Sequence, residues 1–207
     1  MRVPELYKKE YIDKQFERRG LFAELQEKYA VKSALYPGSY VHVTPSFYFP
    51  DVVYVDSFKK ANTFFDDRKT VIAFINENKT YPEPASFRFI HKDYSKALDL
   101  DEGRFDLLIS QWAGPISQSC KKYLKAGGIL LANNSHADSG LAYLDPDYQL
   151  AAVVKSNKGK FSISEKNLDA YFIPKKEQAV SFETLMQSGK GIGYTKTANS
   201  YIFKKNE

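Results

Sequence analysis

The sequence predicts an α/β protein with a doubly wound, mostly parallel sheet that carries antiparallel strands at one edge. Short apolar runs of strand length alternate with helical stretches between residues 31 and 134. This alternation is typical of a parallel sheet covered by helices on both faces. After Tyr148 the pattern changes to short strand candidates separated by turn residues, which favours antiparallel pairing.

The N-terminal segment, residues 4–30, is predicted to be helical. Apolar residues recur there at spacings of three and four among many charges, and Pro4 suits a first helical turn. Gly20 is expected to divide the segment into two helices. The predicted organisation is therefore a helical extension over residues 1–30 and an α/β domain over residues 31–207.

Five apolar runs are predicted to form the parallel strands, with helices between several of them. The runs are Val31–Tyr36, Asp51–Asp56, Ser86–His91, Phe105–Ser110 and Ile129–Ala132. The segments Asp67–Asn78 and Ile116–Lys125 read as helices, and Gly127-Gly128 is expected to end the second of them. Strand candidates in the basic C-terminal part, residues 150–207, are Leu150–Val154, Phe161–Ser164, Tyr171–Ile173, Ile192–Thr195 and Tyr201–Lys204.

The charge of the chain is concentrated near its end. Of 207 residues, 30 are Lys or Arg and 25 are Asp or Glu, a net charge of +5. Residues 151–207 contain 10 lysines and 5 acidic residues, so this part alone carries 10 − 5 = +5. These lysines are scattered, and residues 151–207 contain no arginine. This pattern indicates a solvated surface rather than a nucleic-acid groove.

The composition also bears on where the protein resides and on whether it binds a metal. No apolar run approaches the ~18 residues of a membrane span, and the N-terminus is too charged for a signal peptide. A single cysteine and three histidines make a Cys/His metal site very improbable, so no metal is expected. We expect a cytoplasmic protein with no membrane contact, and the sequence leaves its oligomeric state open.

The candidate ligand-binding residues follow the predicted strands, because an open parallel sheet binds ligands beyond the carboxyl ends of its strands. Gly38 lets the backbone approach a ligand, and Asp56 follows it by 18 residues, close to the ~20 between glycine loop and ribose-binding acid in nucleoside-binding units. An alternative for Asp56 is capping of the next helix. The residues at the other strand ends are Asp93, Ser110 and, after the fifth run, His136 and Asp138.

Two motifs resemble those of class I S-adenosylmethionine-dependent methyltransferases, which have a Rossmann-like fold. Phe105–Ser110 (FDLLIS) resembles the family's fourth strand, and Tyr123–Leu131 (YLKAGGILL) resembles its turn into the fifth. The resemblance implies S-adenosylmethionine as cofactor. In the family's pattern, Gly38 and Ser39 would contact its methionine part, and Asp56 and Ser57 its ribose. Asp93 and Tyr94 would contact its adenine, and Ser110 and Gln111 would lie near its sulfonium.

The chain departs from the family's glycine-rich first motif. Tyr36 stands at the usual acid position, and Tyr40 and His42 stand at later glycine positions. Two functions therefore stay open: a methyltransferase acting on a small molecule, or a non-catalytic relative that binds a nucleotide or a protein partner. In the first case His136 or Asp138 would deprotonate the substrate, whereas a histidine bonded to loop backbone is the structural alternative for His136.

Overall fold

The computed structural model describes residues 3–176 and 180–207, and these residues form two compact units, 1–98 and 99–207. The predicted α/β class, with parallel strands and antiparallel strands at an edge, is confirmed. No helix in the described ranges is both long and apolar enough to span a membrane.

The first unit is built on three parallel strands. They lie in the order β3 (Ser86–His91), β2 (Asp51–Asp56) and β1 (Ser33–Pro37), with β2 in the middle. The middle strand is buried from Val52 to Asp56 because its two neighbours and the covering helices exclude water. Helices α3 (Lys59–Asp66) and α4 (Arg68–Asn78) follow β2 and bury phenylalanines against the sheet.

The N-terminal helices belong to this first unit. Helix α1 (Glu5–Tyr7) continues as a wider π-turn over Lys8–Ile12, and α2 spans Arg19–Tyr29. The expected division at Gly20 is wrong, because the break falls earlier and Gly20 lies within the first turn of α2. Arg18 precedes α2 with a positive φ of 58°, so a non-glycine residue makes the turn.

The second unit contains five strands in the order β4, β5, β8, β6 and β7. The strands are β4 (Phe105–Ser110), β5 (Leu124–Ala132), β6 (Tyr148–Asn157), β7 (Lys160–Ser164) and β8 (Ser200–Lys205). Strands β4 and β5 are parallel, and the other pairs are antiparallel. The C-terminal candidates at 150–154, 161–164 and 201–204 are thus strands, as expected.

The Gly127-Gly128 pair was expected to end a helix, and this expectation is wrong. Helix α5 covers only Ile116–Ser119, and β5 already begins at Leu124. Pairing with β4 shifts from Phe105↔Leu124 to Leu107↔Ile129, so the glycines lie in a bulge. Gly127 has a φ of +72°, and a Cβ on Gly128 would lie 2.9 Å from Leu124 Cδ1. Glycines often end helices, but in this strand the pair permits a bulge.

Two other strand candidates are also corrected. Tyr171–Ile173 and Ile192–Thr195 are not strands; the structure has only an isolated bridge between Pro174 and Tyr194 there. Helices α6 (Asp138–Leu144) and α7 (Phe182–Ser188) were not anticipated. Leu185 of α7 packs on Leu141 of α6 in a small apolar cluster, which anchors the segment between β7 and β8 on α6.

Candidate functional site

The loop after β1 is held by hydrogen bonds to the end of β2. Gly38 has a φ of +63°, and its N–H donates to the Val55 carbonyl over 2.8 Å. The Tyr40 N–H, also at positive φ (48°), donates to Asp56 Oδ2 over 2.8 Å. Ser39 between them is buried. The glycine therefore allows the chain to turn back onto β2, where Asp56 receives it.

Asp56 connects two loops of the first unit. Its Oδ1 accepts the Phe58 N–H over 2.8 Å, while its Oδ2 accepts the Tyr40 N–H, and the residue is only 4% exposed. Phe58 directly precedes α3, so the carboxylate also supports the entry into that helix. Each carboxylate oxygen has about two acceptor positions, which leaves one on each for a further donor.

An open groove lies beside these two loops. Tyr40 and Phe58 form its aromatic walls with ring centroids 6.3 Å apart and planes at 85°, and Lys59 and Lys60 complete it. Its volume is about 510 Å³. Phe58 is 67% exposed, so most of its ring is accessible at this groove. We call this the Tyr40–Phe58 groove.

A second groove of the first unit, about 580 Å³, lies along helices. Its walls come from Glu5 and Leu6 near the N-terminus and from α3 and α4, including Phe64 and Val71. Neither groove is lined by a predicted site residue. The aromatic walls of the Tyr40–Phe58 groove, however, directly follow Ser39 and Ser57 in the chain, at the strand ends where an open parallel sheet binds ligands, so we take this groove as the candidate ligand site.

A buried aromatic cluster occupies the positions where the glycine-rich motif departs from the family. His42 Nε2 donates to the Glu17 carbonyl over 3.1 Å, so Nδ1 accepts the Tyr36 hydroxyl over 3.2 Å. Tyr11 stacks on the imidazole with centroids 4.3 Å apart. Burial lowers the pKa of His42 to about 3, so the ring is neutral. His42 thereby fastens the N-terminal segment to the loop.

The other predicted residues of the first unit lie at the surface. Ser57 is exposed, and its carbonyl accepts the His91 Nε2–H over 3.0 Å. Asp93 is exposed and Tyr94 half-buried after β3. Asp93 Oδ1 accepts the Ser95 N–H over 2.9 Å, and this bond lowers the pKa of the carboxyl. Asp93 stabilises a local turn, and its exposed carboxylate stays accessible to a ligand.

In the second unit, Asp138 is the centre of a buried hydrogen-bond cluster. Its Oδ2 accepts the Ser110 hydroxyl, and its Oδ1 accepts the Ser117 hydroxyl. The Ser117 N–H lies 3.1 Å from both oxygens. Burial raises the pKa of Asp138, against the lowering effect of these bonds. The carboxylate is 0% exposed, so it holds the two ends of the 110–117 loop rather than facing solvent.

His136, two residues earlier, is exposed. Its Nδ1 pairs with the Ser135 hydroxyl over 2.7 Å, which leaves Nε2 as the nitrogen that can meet a ligand. A Cβ added to Gly114 would lie 2.9 Å from His136 Cβ, so the 110–117 loop passes directly beside this histidine. Gln111 is buried, and its amide donates to the Ser200 hydroxyl over 3.2 Å.

The sequence reasoning missed Ser117 and did not single out Phe58. Ser117 lies 21 residues from Asp138 and gives no local signal of their contact. Phe58 did carry one, since a large apolar residue two positions after a strand-end acid lies outside the strand core. Among residues 3–176 and 180–207, no group of three or more His, Cys, Asp or Glu side chains is arranged to hold a metal ion.

Comparisons with known proteins relate this geometry to a fold. The chain is similar to the N-methyltransferase NodS from Bradyrhizobium japonicum WM9, solved with S-adenosyl-L-homocysteine, at 10% identity and a TM-score of 0.52 over 99% of this chain and 92% of that chain. It is similar to a proposed O-methyltransferase from Klebsiella pneumoniae at 10% identity and a TM-score of 0.50 over 92% of this chain and 80% of that chain.

A third match is shorter. It covers 65% of this chain and 64% of a proposed S-adenosyl-L-methionine-dependent methyltransferase from Methanococcus maripaludis, less than two thirds of that protein, at 12% identity and a TM-score of 0.45. No protein-family model matches the chain, and no curated protein does. The first two matches show that the chain has the Rossmann-like fold of S-adenosylmethionine-dependent methyltransferases.

Proposed function

We propose that the chain is an S-adenosylmethionine-dependent methyltransferase that acts on a small molecule. The observation that carries the proposal is the Tyr40–Phe58 groove, which opens beside Asp56 at the end of β2 in a methyltransferase-type fold. S-adenosylmethionine supplies a methyl group on a positively charged sulfur when it is bound.

The residues around the groove fit an adenosine. The aromatic walls, Tyr40 and Phe58, offer stacking surface to a purine. Asp56 keeps an acceptor position on each oxygen, and a ribose diol is the donor pair that such a carboxylate takes. Asp93, exposed after the neighbouring strand, is the proposed acceptor for the adenine amino group. Gly38 and Ser39 form the loop assigned to the methionine part.

For the base we assign His136 and not Asp138. The Asp138 oxygens accept from two serine hydroxyls and a backbone N–H, and the side chain has no exposed surface from which to reach a substrate. His136 is exposed, its Nδ1 pairs with the Ser135 hydroxyl, and Nε2 is the nitrogen that can accept a proton from a substrate. The Ser110 hydroxyl donates to Asp138 and the Gln111 amide to the Ser200 hydroxyl, so we assign these two residues to support of the loop.

The proposed acceptor is a small molecule and not a nucleic acid, because the lysines of residues 151–207 are scattered rather than gathered into a groove. The competing function is a non-catalytic relative of the same fold. Two observations favour it: Asp56 already accepts a backbone N–H on each oxygen, and the His42 cluster fills the family's acid position, Tyr36, and one of its later glycine positions, His42.

Calorimetric titration of the intact protein with S-adenosylmethionine and with S-adenosylhomocysteine separates the two functions. We expect micromolar binding of both, and about tenfold weaker binding by Phe58→Ala, because an exposed ring that stacks on adenine contributes about 1–1.5 kcal/mol. Phe16→Ala, which removes a second exposed phenylalanine of the same unit, is the matched control and should bind normally. No binding at millimolar cofactor would overturn the proposed function and favour the non-catalytic alternative.

A further inference from the structure

The two loops at the carboxyl ends of β4 and β5 present one aromatic and one imidazole side chain to solvent. Trp112 follows β4 and is 46% exposed, and His136 follows β5 and is also exposed. The exposed part of an indole offers a flat apolar surface on which a planar ring can stack. Both residues have positive φ, 58° and 54°, and such backbone strain in bulky residues clusters at functional sites.

These two loops are locked to one another. A Cβ on Gly114 would lie 2.9 Å from His136 Cβ, so only glycine lets the Trp112 loop pass so closely. Asp138 accepts from Ser110 and Ser117, which begin and end that loop. One buried carboxylate therefore fixes the backbone that carries Trp112 and, two residues before it in the chain, the backbone that carries His136. A ligand would meet a rigid, preorganised surface.

A third segment borders the histidine loop. The Asn134 amide donates to the Ile192 carbonyl over 2.9 Å, and a Cβ on Gly191 would collide with the Asn134 carbonyl oxygen. The segment that precedes β8 is thus pressed against the base of the loop that carries His136. The surface therefore combines the apolar indole of Trp112 with the polar imidazole of His136.

We propose that Trp112 and His136 form an acceptor site for a planar aromatic molecule that bears a hydroxyl group. The ring stacks on the indole, and the hydroxyl donates to Nε2 of His136, whose Nδ1 is held by Ser135. A flat ring matches the face of an indole, whereas a saturated ring touches it at fewer atoms. This site rests on the proposed function, for which it supplies the class of substrate.

The test uses three neutral probes that differ in one feature each: 4-hydroxybenzamide, its saturated analogue trans-4-hydroxycyclohexanecarboxamide, and benzamide, which lacks the hydroxyl. Each is titrated calorimetrically into the intact protein saturated with S-adenosylhomocysteine. We expect 4-hydroxybenzamide to bind about tenfold more tightly than the saturated analogue. Since Trp112 is the single tryptophan of the chain, its fluorescence should change saturably with the same Kd.

The variants assign the two side chains. Trp112→Leu should remove the preference for the planar ring, and Trp112→Phe should keep most of it. Tyr143→Leu is the matched control, an aromatic of the second unit with the same 46% exposure, and should change nothing. His136→Gln should weaken binding of 4-hydroxybenzamide about threefold to tenfold and leave benzamide unaffected, because only the first donates a hydroxyl proton.

Equal affinity for the planar and saturated probes, unchanged Trp112 fluorescence, or no probe binding up to the solubility limit would each overturn the acceptor site. The same samples are titrated with S-adenosylmethionine alone. Failure of that titration sinks the proposed function whatever the probes do, and normal cofactor binding with failed probe binding sinks only the acceptor site.

Discussion

A carboxylate follows a strand in each unit of this protein, and the two carboxylates differ in what they hold. Asp56 accepts only backbone N–H groups, from Tyr40 and Phe58, and keeps 4% of its surface exposed. Asp138 accepts two serine hydroxyls as well as a backbone N–H, and is fully buried. Both connect loops, but only Asp56 keeps any exposed surface.

The difference teaches that a strand-end acid is not by itself a binding residue. A buried carboxylate must satisfy its oxygens within the protein, because leaving them unpaired costs several kcal/mol. In our proposals the ligand meets side chains on the loops that the acids hold: Phe58 beside Asp56, and Trp112 and His136 on the loops around Asp138. Asp138 therefore acts only by positioning, whereas Asp56 is proposed to position its loops and to contact the ribose as well.

The largest expected effect comes from the fully buried acid. Asp138→Ala leaves the Ser110 and Ser117 hydroxyls and the Ser117 N–H without their acceptor, and a buried donor without a partner costs about 1–3 kcal/mol. We expect the free energy of unfolding to fall by about 3 kcal/mol in denaturant titrations. Asp147→Ala, which removes an exposed carboxylate paired with Lys121, should change it by less than ~1 kcal/mol. An equal effect of both variants would contradict the role of Asp138 in holding the 110–117 loop.

A second effect depends on pH and concerns the cluster beside Asp56. The pKa of His42 is about 3 in the folded protein, lowered by burial, and about 6.5 in the unfolded chain. The unfolded state therefore binds more protons below pH 6.5, and the stability contributed by neutral His42 is complete above that pH and lost progressively as the pH falls toward 3. Between pH 7 and pH 5 the loss is about 2 kcal/mol, at ~1.4 kcal/mol per pKa unit.

The measurement is the free energy of unfolding of the wild type and of His42→Gln at several pH values. An amide can still donate to the Glu17 carbonyl and accept from Tyr36, but it does not titrate. The variant should therefore lose stability less steeply than the wild type between pH 7 and pH 5. Identical slopes would show that protonation of His42 does not limit acid stability.

The sequence predicted the strands far better than the side-chain contacts. An apolar run such as Asp51–Asp56 is read locally, because burial on both faces requires apolar residues in succession. Whether Asp56 or Asp138 faces solvent depends on loops that meet it from 16 and 21 residues away, and no periodicity encodes those contacts. The prediction that Gly127 ends a helix was wrong for a related reason, because a glycine with positive φ suits a helix end and a bulge equally well.

The smallest expected effect on stability, and the one that sharpens the comparison most, belongs to Asp56. Asp56→Ala removes the acceptor of the Tyr40 and Phe58 N–H groups, but Phe58 is largely exposed and water can replace part of the loss, so we expect about 1 kcal/mol of destabilisation. If Asp56 also receives a ribose diol, the same variant should weaken S-adenosylhomocysteine binding about ten- to a hundredfold by calorimetry. Asp67→Ala, which removes the N-terminal cap of α4 in the same unit, is the control: it should lose about as much stability and keep full affinity. If Asp56→Ala loses stability but keeps its affinity, Asp56 only holds loops, as Asp138 does. The aromatic walls of the groove would then be the groups left at that strand end to recognise the cofactor's adenosine.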